Sequence, residues 1–226
     1  MSAGPIRAVL FDWGDTLFES PHAPGVILEH ARSRGLALEP DEARRIWSEL
    51  WEAGKTAAEH AKGRDLSRDA HRGVWTELFA RANAAVPGVD AVLYERVMDP
   101  AGWIPYPDTE PTLRALRARG VRVGVVSNHA YDLRPFFAAK GLAGYVDAYA
   151  LSYEVGVPKP APQIFAAACR TLGVAPASAL MVGDDPVSDG GAGAADLRVY
   201  ILPPHEAPGA ARGLARVVEL VDAANA

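Results

Sequence analysis

The sequence has little cysteine and no long apolar segment. A single cysteine, Cys169, stands among 226 residues, which excludes an internal disulfide framework and a cysteine-based zinc site. No run of about 18 apolar residues occurs, so we expect no membrane-spanning segment. The first residues lack the charged and apolar regions of a signal peptide. Together these absences favour a cytoplasmic location.

Positive charge is also scarce. The chain has 23 basic and 28 acidic residues and a formal net charge of -5, which argues against a nucleic-acid-binding surface. The rest of the composition, 49% hydrophobic and 23% charged residues, is typical of a soluble globular protein. Because the length exceeds the usual domain of about 150 residues, we expect one large domain or a core with a smaller appendage.

The first residues and the second half of the chain show strand and helix patterns in alternation. Short apolar runs predict strands at 7–11, 121–127, 146–151, 179–182 and 197–202. Helical spacing predicts helices at 113–120, 133–141, 163–173 and 214–223. Strands that alternate with helices of about 10–12 residues predict a doubly wound parallel sheet with helices on both faces. The predicted fold class is therefore α/β.

The stretch between about residues 22 and 100 has a different character. Apolar residues such as Trp47 and Trp51 recur at helical spacing, and breakers such as Gly54 separate the segments. This pattern predicts about four helices with the tryptophans in their core. We therefore predict an α/β core made of residues 1–17 and 104–226, interrupted by a helical insert at residues 18–103.

Polar residues follow four of the predicted strands, at the end where parallel sheets bind ligands. In chain order they are the loop at residues 12–16, then Ser127 with Asn128, then Lys159, and last Asp184 with Asp189. The set combines several carboxylates with one cation. Carboxylates that share a site need a counter-charge, and a hard cation such as Mg²⁺ supplies it through oxygen ligands.

This combination of groups suits phosphoryl transfer. Mg²⁺ and Lys159 would neutralise a phosphate group, and Ser127 with backbone N–H groups would bind its oxygens. One of the carboxylates can then attack phosphorus and form an aspartyl-phosphate. The residues therefore predict a small phosphorylated molecule as the partner.

The four segments also resemble a known family. FDWGDTL, VVSN, VGVPKPAPQIF and VGDDPVSD, in this order and spacing, are similar to the four motifs of the haloacid dehalogenase-like hydrolases. The helical insert between the first two motifs resembles the type-1 cap of that family. The resemblance covers nearly the whole core. It implies a Rossmann-like core and a Mg²⁺-dependent hydrolase, most often a phosphatase that acts on a small phosphorylated metabolite.

The resemblance also assigns a role to each matching residue. It implies that Asp12 is the nucleophile and that Lys159 steadies both the nucleophile and the phosphate. The implied phosphate-binding group is Ser127, Asn128 and Lys159, with Thr16 as a support of the motif-one loop (residues 12–16). The implied Mg²⁺ ligands are Asp12, the backbone carbonyl of Gly14, Asp184 and Asp189.

One position departs from the family pattern. Family phosphatases carry a general acid/base aspartate two residues after the nucleophile, where this chain has Gly14. A positioned general acid contributes about 10²–10⁴ in rate. Asp15 is the candidate replacement, because Gly14 is conformationally permissive. Adjacent side chains in extended backbone point apart, however, which favours a structural role for Asp15. A leaving group of low pKa would need no acid.

Three alternative functions stay open at this stage. A 2-haloacid dehalogenase-like activity needs no proton donor, but such enzymes use no metal. Phosphonoacetaldehyde-hydrolase-like C–P cleavage would need a Schiff-base lysine in the insert, for which Lys55 is the candidate. A catalytically weakened member would only bind a phosphorylated ligand. The sequence does not identify the substrate, the oligomeric state or the role of Asp185.

Overall fold

The computed structural model describes residues 4–204 and 208–226. The chain divides into two compact units, of which one comprises Met1–Glu19 with Ile104–Ala226 and the other comprises Ser20–Trp103. The predicted insert began at residue 18. In the structure Phe18 and Glu19 belong to the first unit, because they form a short strand that pairs with Ile104 and Pro105.

The first unit, here called the core unit, contains all the strands among the described residues. They are β1 (Ala8–Phe11), β2 (Phe18–Glu19), β3 (Ile104–Pro105), β4 (Arg122–Ser127), β5 (Ala148–Leu151), β6 (Ala179–Gly183) and β7 (Arg198–Ile201). The second unit, here called the insert, holds α1 (Pro24–Ser33), α2 (Pro40–Gly54), α3 (Ala57–Ala61), α4 (Arg68–Phe79) and α5 (Val89–Met98). The core unit adds α6 (Thr109–Ala118), α7 (Arg134–Ala139), α8 (Ser152–Val155), α9 (Pro162–Leu172) and α10 (Ala215–Asn225).

Five strands form the main sheet in the order β5-β4-β1-β6-β7. Each neighbouring pair is parallel, so the predicted α/β fold with a parallel sheet is confirmed. All four residues of β1 are buried, as expected for the central strand of a sheet covered on both faces. The carboxyl ends of β1, β4 and β6 therefore lie side by side at one edge.

Close packing between β1 and β4 depends on a glycine. Leu10 lies opposite Gly124 in the register of the two strands. A Cβ atom at Gly124 would come within 2.6 Å of Leu10 Cδ2 and 3.2 Å of Leu172 Cδ1. The missing side chain therefore lets the fully buried Leu10 and Leu172 of α9 fill the space above the sheet.

The insert has its own apolar core, in which the tryptophans lie as predicted. Trp51 stacks between Trp47 and Trp75, with ring centroids 5.1 and 5.5 Å apart. Gly54 permits this, because a Cβ atom there would come within 2.6 Å of the Trp75 ring. Gly54, predicted as a breaker, is therefore the last residue of α2 and a packing position. None of the helices in the described parts of the chain combines the length and the apolar character needed to cross a membrane.

Candidate active site

The motif-one loop makes a tight turn directly after β1. The Asp12 N–H donates to the Val182 carbonyl (2.9 Å), which holds the start of the loop against β6. The N–H groups of Leu17 and Phe18 both return to the Trp13 carbonyl, at 3.0 and 2.9 Å. These hydrogen bonds fold the loop back on itself, so Asp12 projects at the carboxyl edge of the sheet.

Lys159 is buried between two carboxylates. Its Nζ lies 2.8 Å from Asp12 Oδ1 and 2.7 Å from Asp189 Oδ1, and only 3% of the side chain is exposed. The side chain of Asn128 holds the lysine backbone at both polar groups: its Oδ1 accepts from the Lys159 N–H (2.6 Å) and its Nδ2 donates to the Lys159 carbonyl (3.0 Å). Asn128, directly after β4, thus holds Lys159 in place beside Asp12, which directly follows β1.

Three carboxylates converge beside this lysine. One oxygen from each of Asp12, Asp184 and Asp189 lies within 4.8 Å of the others, a spacing that could hold a metal ion. Asp189 is fully buried, and its Oδ2 accepts from the Asp185 N–H at 3.0 Å. A Cβ atom at Gly183 would come within 2.0 Å of the Asp189 carboxylate. The glycine at the end of β6 therefore makes the room in which Asp189 sits.

The crowded negative charge changes the protonation of these groups. Burial, together with the charges of Asp189 and Asp184, raises the pKa of Asp12 to about 7, although Lys159 acts in the opposite direction. Burial and then the charge of Asp15 raise the pKa of Asp184 to about 6. Burial by itself would lower the pKa of Lys159, but its two carboxylate neighbours outweigh that effect and raise it.

The same charges define what could bind here. Three carboxylates against one ammonium group leave two negative charges without compensation. Burial and, after it, this excess of negative charge raise the pKa values of Asp12 and Asp184. A divalent cation with a preference for oxygen ligands would remove it, so the donor set fits Mg²⁺.

Two predicted phosphate-binding residues have other partners in the structure. The Thr16 hydroxyl donates to Asp184 Oδ1 at 2.9 Å, so in this structure its single proton supports the carboxylate cluster. The Asn128 amide binds the backbone of Lys159. Ser127 is the last residue of β4 and is buried, at 4% exposure. Phosphate binding by these residues stays a prediction.

Asp15 differs from the sequence-based expectation. The argument for a structural role assumed extended backbone, but Asp15 is in the left-handed region, with φ 55°. That assumption was wrong, because the turn formed by the motif-one loop reverses the chain at this residue. The charge of Asp15 acts on both Asp184 and Tyr106, whose pKa is raised by burial and then by Asp15. Asp15 is therefore close to the carboxylate cluster, and its role in proton transfer stays a prediction.

Asp185 and Lys55 have partners of their own. Asp185 Oδ1 accepts from the N–H groups of Val187 (2.7 Å) and Ser188 (3.2 Å), so its carboxylate shapes the loop after β6. Burial would raise the pKa of Asp185, but these hydrogen bonds lower it overall. Lys55 directly follows α2 as its C-cap residue, is about half exposed, and pairs with Glu52 at 3.4 Å. It lacks the desolvation that favours Schiff-base formation by a lysine.

The glycine-rich stretch after Asp189 packs closely against the loop that contains Lys159. Residues Gly190–Ala195 form a 3-10 helix. A Cβ atom at Gly191 would come within 2.4 Å of Pro160 Cβ and 2.6 Å of the Pro160 carbonyl oxygen. Gly191 therefore lets the segment after Asp189 approach the residue next to Lys159.

Two residues that contact the motif-one loop or the residue directly after it have no signal in the sequence motifs. The Thr109 hydroxyl, fully buried, donates to the Leu17 carbonyl at 2.7 Å. Arg212 Nε donates to the Asp15 carbonyl at 2.7 Å. Thr109 lies in none of the four motifs, and Arg212 lies in an Ala/Gly-rich stretch with no pattern of its own.

The parallel-sheet fold and the residues at its carboxyl edge agree with the class of protein that the four motifs predicted. Comparison with known families gives the same answer. The family model of haloacid dehalogenase-like hydrolases matches residues 6–195. The chain therefore belongs to the haloacid dehalogenase-like hydrolases, as the four motifs implied.

Individual relatives cover most of the chain. The human haloacid dehalogenase-like hydrolase domain-containing protein 3 is 30% identical over 191 residues, which span 81% of this chain and 76% of the relative. The glyceraldehyde 3-phosphate phosphatase of Methanopyrus kandleri is 32% identical over 188 residues, spanning 79% and 76%.

Solved structures of two kinds share the fold. A HAD phosphatase from Thermococcus onnurineus has 25% identity and a TM-score of 0.61, with 96% of this chain and 98% of that chain covered. The L-2-haloacid dehalogenase of Xanthobacter autotrophicus has 24% identity and a TM-score of 0.64, covering 90% and 80%. The second similarity supports the fold only.

Proposed function

We propose that this hydrolase is a Mg²⁺-dependent phosphatase that acts on a small phosphorylated metabolite through an aspartyl-phosphate on Asp12. The observation that carries the proposal is the contact of Lys159 with Asp12 and Asp189 beside a cluster of three carboxylates. Phosphatases among the relatives, such as the glyceraldehyde 3-phosphate phosphatase, support the same reaction class.

In the proposed reaction Lys159 keeps one oxygen of Asp12 in place while the other attacks phosphorus. The Lys159 ammonium binds Oδ1, so Oδ2 forms the new O–P bond as the bond to the leaving oxygen breaks. Water then attacks phosphorus, which releases inorganic phosphate and restores the Asp12 carboxylate. Ser127 and the N–H groups of the motif-one loop are proposed to bind the phosphate oxygens.

Asp12, Asp184, Asp189 and the Gly14 carbonyl are proposed to hold Mg²⁺. When bound, the ion supplies charge neutralisation for the phosphate and lowers the pKa of the carboxylates around it. Thr16 orients Asp184 through its hydroxyl. Asp189 binds both Lys159 and the N–H of Asp185, so one fully buried side chain sets the geometry of the lysine and of the cluster.

Because Gly14 replaces the general acid/base aspartate, the leaving group of the preferred substrate is restricted. An alkoxide leaving group needs a proton, whereas the carboxylate that leaves an acyl phosphate does not. We therefore propose that acyl and aryl phosphates are turned over faster than alkyl phosphates. Asp15 is the nearest candidate for partial proton donation, because its charge reaches Asp184.

The test is a panel of phosphate esters and acyl phosphates assayed with Mg²⁺ and with EDTA. Asp12→Asn should abolish turnover, and Lys159→Met should lower kcat by at least about 10²-fold. Asp41→Asn is the matched control, because it removes the same charge from a side chain that is 91% exposed on α2. Phosphatase activity that survives Asp12→Asn would refute the assignment of the nucleophile.

The same panel separates the alternatives. Turnover of 2-chloropropionate that persists in EDTA would favour a dehalogenase. Release of phosphate from phosphonoacetaldehyde, with borohydride trapping of Lys55, would favour C–P cleavage. Binding of phosphorylated ligands without turnover of any acyl phosphate would favour a member that only binds its ligand.

A further inference from the structure

Arg212 is a buried arginine that contacts the motif-one loop from a distant part of the chain. Only 4% of the residue is exposed. Its Nε donates to the Asp15 carbonyl at 2.7 Å, and its Nη1 donates to the Pro203 carbonyl at 2.8 Å. The guanidinium thus joins the loop after β1 to the segment after β7, within the core unit.

The backbone around Arg212 is itself fixed by one carboxylate. Asp108 Oδ1 accepts from the Arg212 N–H (2.9 Å), and its Oδ2 accepts from the N–H groups of Gly213 and Leu214 (2.8 Å each). Three backbone donors on one carboxylate leave the segment before α10 little freedom. The guanidinium is therefore presented to the loop from a rigid support.

The carbonyl that Arg212 binds is a sensitive point of the loop. Asp15 has φ 55°, a backbone conformation that is unfavourable for a residue with a side chain and persists only where the surrounding structure holds it. The Asp15 N–H donates to the Phe18 carbonyl at 2.7 Å, while the Asp15 carbonyl accepts from Arg212. The peptide group that follows Asp15 joins it to Thr16, whose hydroxyl donates to Asp184.

We propose that Arg212 is a positioning residue for the phosphatase reaction, which acts by holding the Asp15 peptide group and so the geometry of the motif-one loop. The inference rests on the proposed function. The guanidinium donates to backbone carbonyls, and its hydrogen bond to Asp15 fixes the backbone between Gly14, a proposed metal ligand, and Thr16. Loss of this contact lets the peptide group rotate, which moves both neighbours.

The chain offers a matched control for this test. Arg119 also secures the C-terminal part of the core unit, because its Nε and Nη2 donate to Asp222 of α10 at 2.6 and 2.8 Å. Among the described residues the Arg119 side chain also donates to the Ala115 carbonyl of α6 at 2.9 Å, and it is 37% exposed. Substitution of Arg119 therefore loosens α10 without touching the loop.

The experiment compares Arg212→Met and Arg212→Lys with Arg119→Met and Arg119→Lys, in the full chain with acetyl phosphate. We expect Arg212→Met to lower kcat by about 10- to 100-fold and to raise the Mg²⁺ concentration needed for half-maximal activity, with KM changed less than threefold. Arg212→Lys should recover part of kcat, since an ammonium group can donate to one of the two carbonyls. The Arg119 variants should keep wild-type kcat. If the Arg212 variants lose no more kcat than the Arg119 variants, the inference is overturned.

Amide hydrogen exchange separates this inference from the proposed function. Arg212→Met should raise exchange in peptides that cover residues 12–18, whereas Arg119→Met should raise it only around residues 215–225. Faster loop exchange in a protein that shows no phosphatase activity would support the holding of the motif-one loop by Arg212 and refute the proposed function. Unchanged loop exchange in Arg212→Met would refute the positioning role whatever the activity. If Arg212→Met does not fold, the two lysine variants give the same comparison.

Discussion

Without bound metal, the protein should become less stable as the pH rises, because the pKa of Asp12 is raised in the folded state. The pKa of this carboxyl is about 7 in the folded protein, against an ordinary value of 3.8. Near pH 5 the folded state therefore holds a proton that the unfolded chain has already released. Stability linked to such a group is complete below about pH 4 and is lost as the pH rises through about 7.

The size of this loss follows from the shift in pKa. Two pH units separate about pH 5 from the folded pKa, and each is worth about 1.36 kcal/mol. The free energy of unfolding should therefore fall by about 2–3 kcal/mol between pH 5 and pH 8 because of Asp12. Solvent screens this group little, since only 17% of its side chain is exposed.

Urea unfolding in EDTA measures the effect. Wild type, Asp12→Asn and the surface control Asp41→Asn are compared at pH 5 and pH 8. The wild type and the control should lose about 2–3 kcal/mol more than Asp12→Asn. With excess Mg²⁺ the wild-type loss should disappear, because the ion binds the ionised carboxylates of the folded state. Equal pH dependence in wild type and Asp12→Asn would refute the reasoning.

Three further variants test separate parts of the site. Asn128→Ala removes both hydrogen bonds to the backbone of the catalytic lysine and should lower kcat by about tenfold or more, measured on acetyl phosphate with urea stability as the control. Gly183→Ala places a Cβ atom against the buried carboxylate beside it, and should cost about 1–3 kcal/mol of stability and weaken Mg²⁺ activation; Gly193→Ala, which meets nothing within 4 Å, should do neither. Gly14→Asp with Asp15→Gly places an acid at the family position and a glycine at the left-handed residue, and should raise kcat/KM on alkyl phosphates relative to acyl phosphates. An unchanged ratio would show that the loop already has a proton donor.

The elements that read clearly from the sequence are those whose pattern is local. The apolar run at 121–127 predicted a strand, which the structure has at Arg122–Ser127. The small residue Gly124 lets this strand pack closely against its neighbours. The helix predicted at 113–120 begins earlier, at Thr109. Its first turn carries buried threonines in place of apolar residues, so the helical spacing of hydrophobic residues does not show it.

The features of the site likewise divide into those that local sequence patterns predict and those that they do not. Because parallel strands bring their carboxyl ends to one edge of the sheet, the positions of four residues after predicted strands indicated that they would converge. These residues are Asp12, Lys159, Asp184 and Asp189. The contact of Asn128 with the Lys159 backbone and that of Arg212 with Asp15 depend on residues distant in the chain. The left-handed backbone of Asp15 results from the turn as a whole. No local pattern of residue types encodes these contacts.

The junction of the insert has a consequence for how this protein could be altered. The chain leaves the core unit at Glu19 and returns at Ile104, and these two residues are direct partners in the β2–β3 pair. Directly opposed residues of antiparallel strands lie only about 4.5–5.5 Å apart. The span between the two ends does not change with the length of what is inserted, and each doubling of that length adds only about 0.6 kcal/mol of closure entropy. The β2–β3 pair is therefore a natural graft point, at which an insert from another relative can be exchanged while β1 and its nucleophile remain as they are.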